Sequence, residues 1–343
     1  MRRAKANDSR MPKRFEFRRF DDGEMLHRIP LGEQHERAHG APYFQMHRAD
    51  LHLALQDAVR ALAPEALTLN ARATAVREDA DGVTLGFDGL PAARAELLVG
   101  ADGIKSVVRQ QVLDTQAPIF TGQVARRCTV PIERIAPDLR TDLVSTIWCG
   151  PRNHAVMYYL RSGQMLNFVG CVERPAEEES WTTRRPWAEL DQDYAGWHPQ
   201  VRAVIEAVDR DQCFRWALNN REPSMVWSSQ RVTLLGDAVH ATLPYMAQGA
   251  AMAIEDAAVL ARALAGGGST GLAENLPLAQ RLQAYQRHRA PRTARVVNES
   301  NEMGGLYHIH DAAQMRQAFA ERNIARSRNE WLYPYNPLTV ALA

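Results

Sequence analysis

A strand that ends in Gly-Asp can present a carboxylate to a sugar hydroxyl. The run Val232-Thr233-Leu234-Leu235-Gly236-Asp237 has that form. Gly236 lets the backbone approach a ligand closely. The stretch Pro244-Tyr245-Met246-Ala247-Gln248-Gly249-Ala250 follows and leads into a helix start, where backbone N–H groups favour negative charge. A second segment, Leu97–Arg109 (LLVGADGIKSVVR), runs a strand into Asp102-Gly103, with Ser106 and Arg109 one and two turns along the next helix. Taken singly, the first also reads as an ordinary strand–loop–helix and the second as a surface turn, which Asp-Gly favours.

A third segment, Gly150–Tyr158, places His154 and Tyr158 four residues apart, on one side of a strand. A histidine that titrates near neutrality can take a phenol proton and make the ring more nucleophilic. Tyr158 would orient the substrate oxygen. The competing reading is a sheet histidine bonded to a backbone carbonyl. His240, which closely follows Gly236-Asp237, reads as structural or as support for the site, with contact to a substrate as the open alternative. Arg126, Arg127 and Arg221 are cations that a substrate carboxylate would suit, but surface arginines are common and nothing in the spacing selects one.

These residues need elements to hold them. Phe15–Arg19 and Met25–Ile29 flank Asp21-Asp22-Gly23, a hairpin pattern. His47–Leu62 is helical, with Leu51, Leu55, Ala58, Val59 and Leu62 on one face. A second hairpin joins Ala73–Arg77 to Val83–Phe87. Strand-like runs follow at Phe120–Val130, Val144–Trp148, Ala155–Leu160 and Met165–Val172; polar helices are expected near Trp187–Tyr194 and Pro199–Val208. Helices are also expected over Gly249–Ala265, with Ala253, Ala257, Leu260 and Leu264 buried, and over Leu278–Asn301. Gly266-Gly267-Gly268 stops the first of these. The fold class is α/β, a Rossmann-like domain with an inserted, mostly antiparallel sheet. The expected division is 15–118 with 228–300 for the first domain, 119–227 for the sheet, and 301–343 as a C-terminal helical tail.

Composition removes several function classes. Of 343 residues, 45% are apolar, enough for a sizeable core, and the formal net charge is +1. That balance gives no electrostatic reason to expect nucleic acid or an anionic membrane. Cys128, Cys149, Cys171 and Cys213 form no CxxC pair, so neither a metal cluster nor a disulfide framework is expected. No apolar run approaches the ~20 residues of a membrane span. Met1–Arg10 is polar and unlike a signal peptide. A cytoplasmic location is the expectation.

Together the segments resemble the GADG…SxxR and GDAxHxxxPxxAQG signatures of the single-component FAD-dependent aromatic hydroxylases. His47-Arg48-Ala49-Asp50-Leu51-His52 resembles that family's helix entry, whose arginine reaches the cofactor. Order and spacing agree from Phe15 to the C-terminus. Further similar stretches are Ile29–Gly32, Gly40–Tyr43, Tyr194–Val201, Phe214–Pro223 and Trp331–Tyr335. The branch resembled holds salicylate 1-hydroxylase, 3-hydroxybenzoate 6-hydroxylase and 6-hydroxynicotinate 3-monooxygenase. The resemblance implies FAD held by Arg48, Asp102, Gly236 and Asp237, with the Gln248-Gly249-Ala250 backbone against the ring. It implies NAD(P)H as electron donor, molecular oxygen, a flavin C4a-hydroperoxide, and a small hydroxylated aromatic acid as substrate. It implies His154 and Tyr158 as the pocket's catalytic pair.

Two departures from the family qualify this. Its glycine-rich GxGxxG turn, which holds pyrophosphate at a helix N-terminus, has no counterpart before Phe15. The first βαβ unit is therefore expected to be missing, and a non-catalytic remnant with weak or no FAD binding is the alternative reading; a hydroxylase of a larger, polyketide-like substrate is a further one. Pro244 stands where the 3-hydroxybenzoate branch is expected to carry a polar glutamine, which tilts the substrate toward salicylate or a hydroxypyridine carboxylate.

Overall fold

The computed structural model describes residues 12–113, 116–175 and 184–342. Most of the basic start lies outside the described residues. The strands are β1 (Arg14–Arg19), β2 (Met25–Pro30), β3 (Ala73–Glu78), β4 (Val83–Phe87), β5 (Ala93–Ala95), β6 (Leu98–Gly100), β7 (Ile119–Pro131), β8 (Ser145–Gly150), β9 (Asn153–Leu160), β10 (Met165–Glu173), β11 (Phe214–Asn220) and β12 (Val232–Leu234). No helix among the described residues is long and apolar enough to cross a membrane.

The chain divides into two compact units, Met1–Leu67 with Gly122–Leu218 and Gly305–Pro334, and Thr68–Thr121 with Asn219–Gly304 and Tyr335–Ala343. This differs from the expected division. The hairpin β1–β2, placed by sequence with the first domain, belongs to the large sheet because β1 pairs in parallel with β8, Phe17 opposite Ile147. A parallel partner more than a hundred residues away leaves no local turn signal. The expected C-terminal tail is likewise shared between the units.

In the first unit the sheet has seven strands, ordered β11-β7-β10-β9-β8-β1-β2. Alternation buries both faces. On one, Phe17 meets Tyr307 and Phe319 at ring separations of 5.9 and 5.4 Å. On the other, Trp148 stacks on His198 at 4.7 Å and Phe168 meets Tyr194 edge-on. Gly170 is a glycine for a visible reason: a Cβ there would collide with the Tyr194 hydroxyl. The helix Arg48–Leu62 forms where expected, but none of its residues is buried, and Leu62 is 88% exposed.

The second unit holds the parallel pair β6/β12 and the antiparallel sheet β3-β4-β5. Val232, Leu234, Val259, Leu260, Ala263 and Tyr285 share its core. The helix Gly249–Ala265 has its expected bounds, yet its buried face is Met252, Asp256, Val259, Leu260 and Ala263 rather than the expected alanine-rich one. A fully buried aspartate on an otherwise apolar face needs partners.

Candidate active site

In the second unit, β6 and β12 end side by side, Leu234 opposite Gly100. A Cβ on Gly100 would meet Val108 at 2.8 Å and Leu234 at 2.9 Å, so only glycine lets strand and helix close up. Beyond β6, the Asp102 carboxylate accepts hydrogen bonds from Ser106 Oγ (2.5 Å), Val107 N (2.7 Å) and Val108 N (3.2 Å). Ser106 is the N-cap of Val107–Val112 and accepts from Arg109 N. It therefore precedes the helix instead of lying one turn along it. Asp102 is committed to shaping this helix start. Arg109 is buried and donates to the Val239 carbonyl at 3.2 Å, tying the two signature loops together.

Beyond β12, Gly236 has φ +65°, a conformation L side chains rarely adopt. Asp237 opens the short helix Asp237–His240 with an exposed side chain. The turn Pro244–Met246 ends at Ala247, also left-handed (φ 56°), and Gln248 caps the helix Gly249–Ala265. The first N–H groups of that helix have no partner inside it and are free to face an anion.

Asp256 holds this loop from behind. Its Oδ2 accepts from Gly236 N at 3.1 Å and lies 2.5 Å from His240 Nε2. Its Oδ1 accepts from Arg289 Nε at 2.7 Å, and Arg289 also pairs with Glu255 at 2.8 Å. Burial alone would raise the Asp256 carboxyl's pKa; the hydrogen bond from His240 and the charge of Arg289 hold it below the usual value. Sequence reasoning missed Asp256 and Arg289. The signal was a charged residue in register with an apolar helix face.

In the first unit, β9 alternates as expected. His154, Val156 and Tyr158 share one face, opposite Cys171, Val169 and Asn167 of β10. His154 is fully buried, and its Nδ1 lies 2.8 Å from His308 Nε2. His308 Nδ1 in turn lies 2.9 Å from Glu173 Oε1, whose side chain is 37% exposed. Burial, reinforced by His308, lowers the His154 pKa well below the ordinary imidazole value. The His308 pKa is lowered by burial, against the opposing pull of Glu173. Tyr158 has its pKa raised by burial, opposed by the charges of Arg127 and Arg48. Arg48, the first residue of its helix, is exposed. His308 and Glu173 were not legible as partners of His154, because 154 residues separate the two histidines.

Residues 25–300 match the family described as FAD binding domain. The chain is 36% identical over 323 residues to a 3-hydroxybenzoate 6-hydroxylase of Polaromonas naphthalenivorans, covering 92% of this chain and 77% of that one. It is 38% identical over 290 residues to a 6-hydroxynicotinate 3-monooxygenase of Bordetella bronchiseptica, covering 83% and 72%. Among solved structures, Klebsiella pneumoniae HpxO complexed with FAD and uric acid superposes with a TM-score of 0.81 at 25% identity, covering 99% of this chain and 83% of that one. The chain belongs to the FAD-binding-domain family, within its aromatic hydroxylases and monooxygenases. The strand–loop–helix segments of the second unit are thus those of a flavoprotein fold, and the positive-φ glycine, exposed Asp237 and open helix start fit such a cofactor.

Proposed function

We propose that this enzyme hydroxylates a small hydroxylated aromatic acid, salicylate-like, with FAD, NAD(P)H and O2. The observation that carries the reading is the arrangement on β9: a buried imidazole with a hydrogen-bonded route outward, on the same strand face as Tyr158. The two relatives' names, each a hydroxylase or monooxygenase of a single-ring hydroxy acid, support it. Pro244 cannot donate a hydrogen bond, which favours salicylate or a hydroxypyridine carboxylate over 3-hydroxybenzoate.

FAD, when bound, supplies the redox chemistry: electrons from NAD(P)H and activation of oxygen at C4a. In the second unit, Asp237 would take a ribityl hydroxyl, Gly236 gives close approach, and the Gln248-Gly249-Ala250 backbone would meet the ring's anionic edge. Asp102, which accepts from Ser106, Val107 and Val108, would hold the loop that meets the cofactor. In the first unit, the exposed Arg48 would supply a cation for it. His154 is neutral at neutral pH because burial lowers its pKa, so it can accept the phenol proton at Nε2. The proton at Nδ1 can then pass to His308 and on to Glu173 at the surface. Tyr158 orients the substrate oxygen.

Substrate-stimulated NAD(P)H oxidation against salicylate, 3-hydroxybenzoate and 6-hydroxynicotinate tests this. Stimulation by salicylate or 6-hydroxynicotinate is expected. Response only to a multi-ring phenol would replace the small-acid reading with the larger-substrate one. A second reading, the fold retained with FAD held loosely, draws on the helix Arg48–Leu62 having no buried residue and on the β6/β12 sheet having two strands among the described residues. A purified protein that is yellow with stoichiometric FAD would remove it.

A further inference from the structure

The sheet face that carries His154 and Tyr158 can be followed across three rows of paired residues. One row is Ala125, Cys171, His154 and Cys149; the next Arg127, Val169, Val156 and Ile147; the third Thr129, Asn167 and Tyr158. None of the three contains a carboxylate. The next acid along β10 is Glu173, already engaged by His308 and Arg152.

Three arginines were open candidates for a carboxylate, and the structure separates them. Arg126 points to the opposite face, where Asp193 accepts its Nε at 2.7 Å and Glu189 lies 3.3 Å from its Nη2. Arg221 donates to the carbonyls of Ile104 and Gln116. Arg127 lies over the Trp216 ring at 4.6 Å, and its buried Nε has no hydrogen-bond partner among the described residues. No ion pair of Arg127 occurs among them either. The Asn167 amide Nδ2, one row away, is also buried without an acceptor among the described residues. Burial, then the charge of Arg48, lowers the Arg127 pKa, with Cys171 and Tyr158 opposing. A partly buried cation beside an unfilled donor costs free energy unless an anion arrives.

We propose that Arg127 and the Asn167 amide are the seat of the substrate's carboxylate, with Tyr158 beside them, so that the enzyme selects anionic single-ring acids over their neutral analogues. This rests on the small-acid reading above and names the residues that would enforce it. Val156 and Val169 between the polar groups offer an apolar strip for the ring.

The test is calorimetric titration of the protein in excess FAD with salicylate and with salicylamide, which keeps ring and hydroxyl but loses the charge. The wild type should prefer salicylate by about 10- to 100-fold, the worth of charge-assisted hydrogen bonds. Arg127→Met should lose that preference while salicylamide affinity changes less than about 3-fold. Arg127→Lys keeps the charge without the fork and should recover part of it. Asn167→Asp adds a like charge with little change of shape and should weaken salicylate alone, which keeps the test open if Arg127→Met does not fold. If folded Arg127 and Asn167 variants bind salicylate as the wild type does, the seat is wrong and the small-acid reading stands. If the wild type binds neither ligand and hydroxylates only a neutral phenol, both fall.

Discussion

The Asp256 cluster and the Arg127 face both hold charge out of water, and they do so in opposite ways. Around Asp256 every strong charge has a partner of opposite sign: Arg289 with Asp256 and Glu255, and Arg292 with Glu255. Around Arg127 no ion pair occurs among the described residues, and its buried Nε and the Asn167 Nδ2 have no acceptor there. In the Asp256 cluster His240 Nδ1 and Arg289 Nη1 also lack a hydrogen bond, but the latter still lies 2.8 Å from the Glu255 carboxylate. A buried cluster that closes on itself is a structural device; removing one member strands the others. A buried donor set left open stores an unmet demand that a ligand can satisfy. The first arrangement aims the Gly236-Asp237 loop; the second is the one proposed to read the substrate's charge.

The contrast gives graded expectations. The largest concerns β9. His154→Ala should cut hydroxylation by about 10²–10⁴, the worth of a positioned base, while flavin reduction by NAD(P)H suffers less; stopped-flow separates the two steps. Unchanged hydroxylation would remove His154 from the chemistry. Next comes the closed cluster. Asp256→Ala strands Arg289, His240 and Gly236 N, and urea unfolding should show a loss of about 3–5 kcal/mol. A loss below about 1 kcal/mol would mean the cluster does not act as a unit.

A smaller effect is set by pH. His27, His35, His154 and His308 in the first unit all have pKa values lowered, in each case chiefly by burial. Their unfolded values lie near 6.5, so the unfolded chain binds protons first as pH falls. The stability due to their neutral forms is complete above about pH 6.5 and is lost as pH drops toward the lowered values. The urea midpoint should therefore fall between pH 7.5 and 5.5, and His308→Gln should flatten that fall. Smallest is Glu33→Ala on the surface helix Gly32–His39. Its pair with Arg37, both side chains exposed, is worth about 0.3–0.5 kcal/mol, and thermal melts should barely move.

The sequence made local features legible and left distant ones hidden. The strands on either side of Tyr158 follow from alternation. The left-handed Gly236 and the helix start at Gly249 follow from residue type. Hydrophobic periodicity misplaced the buried face of Gly249–Ala265 because alanines fit either face, and Asp256 is buried only because Arg289, 33 residues on, reaches it. The parallel pairing of β1 with β8 and the His154–His308–Glu173 chain join segments with no local signature. Ser106 was placed inside a helix that it caps, since a serine serves either position until its backbone is seen.

On the proposed function, one atom of molecular oxygen is inserted into a small aromatic acid. Incubating the protein with FAD, NAD(P)H, ¹⁸O2 and salicylate or 6-hydroxynicotinate, and weighing the product by mass spectrometry, tests it directly. A hydroxylated product carrying one ¹⁸O atom is expected, formed only with substrate, reductant and oxygen together. Product oxygen drawn from water, or reductant consumed with peroxide as the sole product for every acid tried, would contradict it.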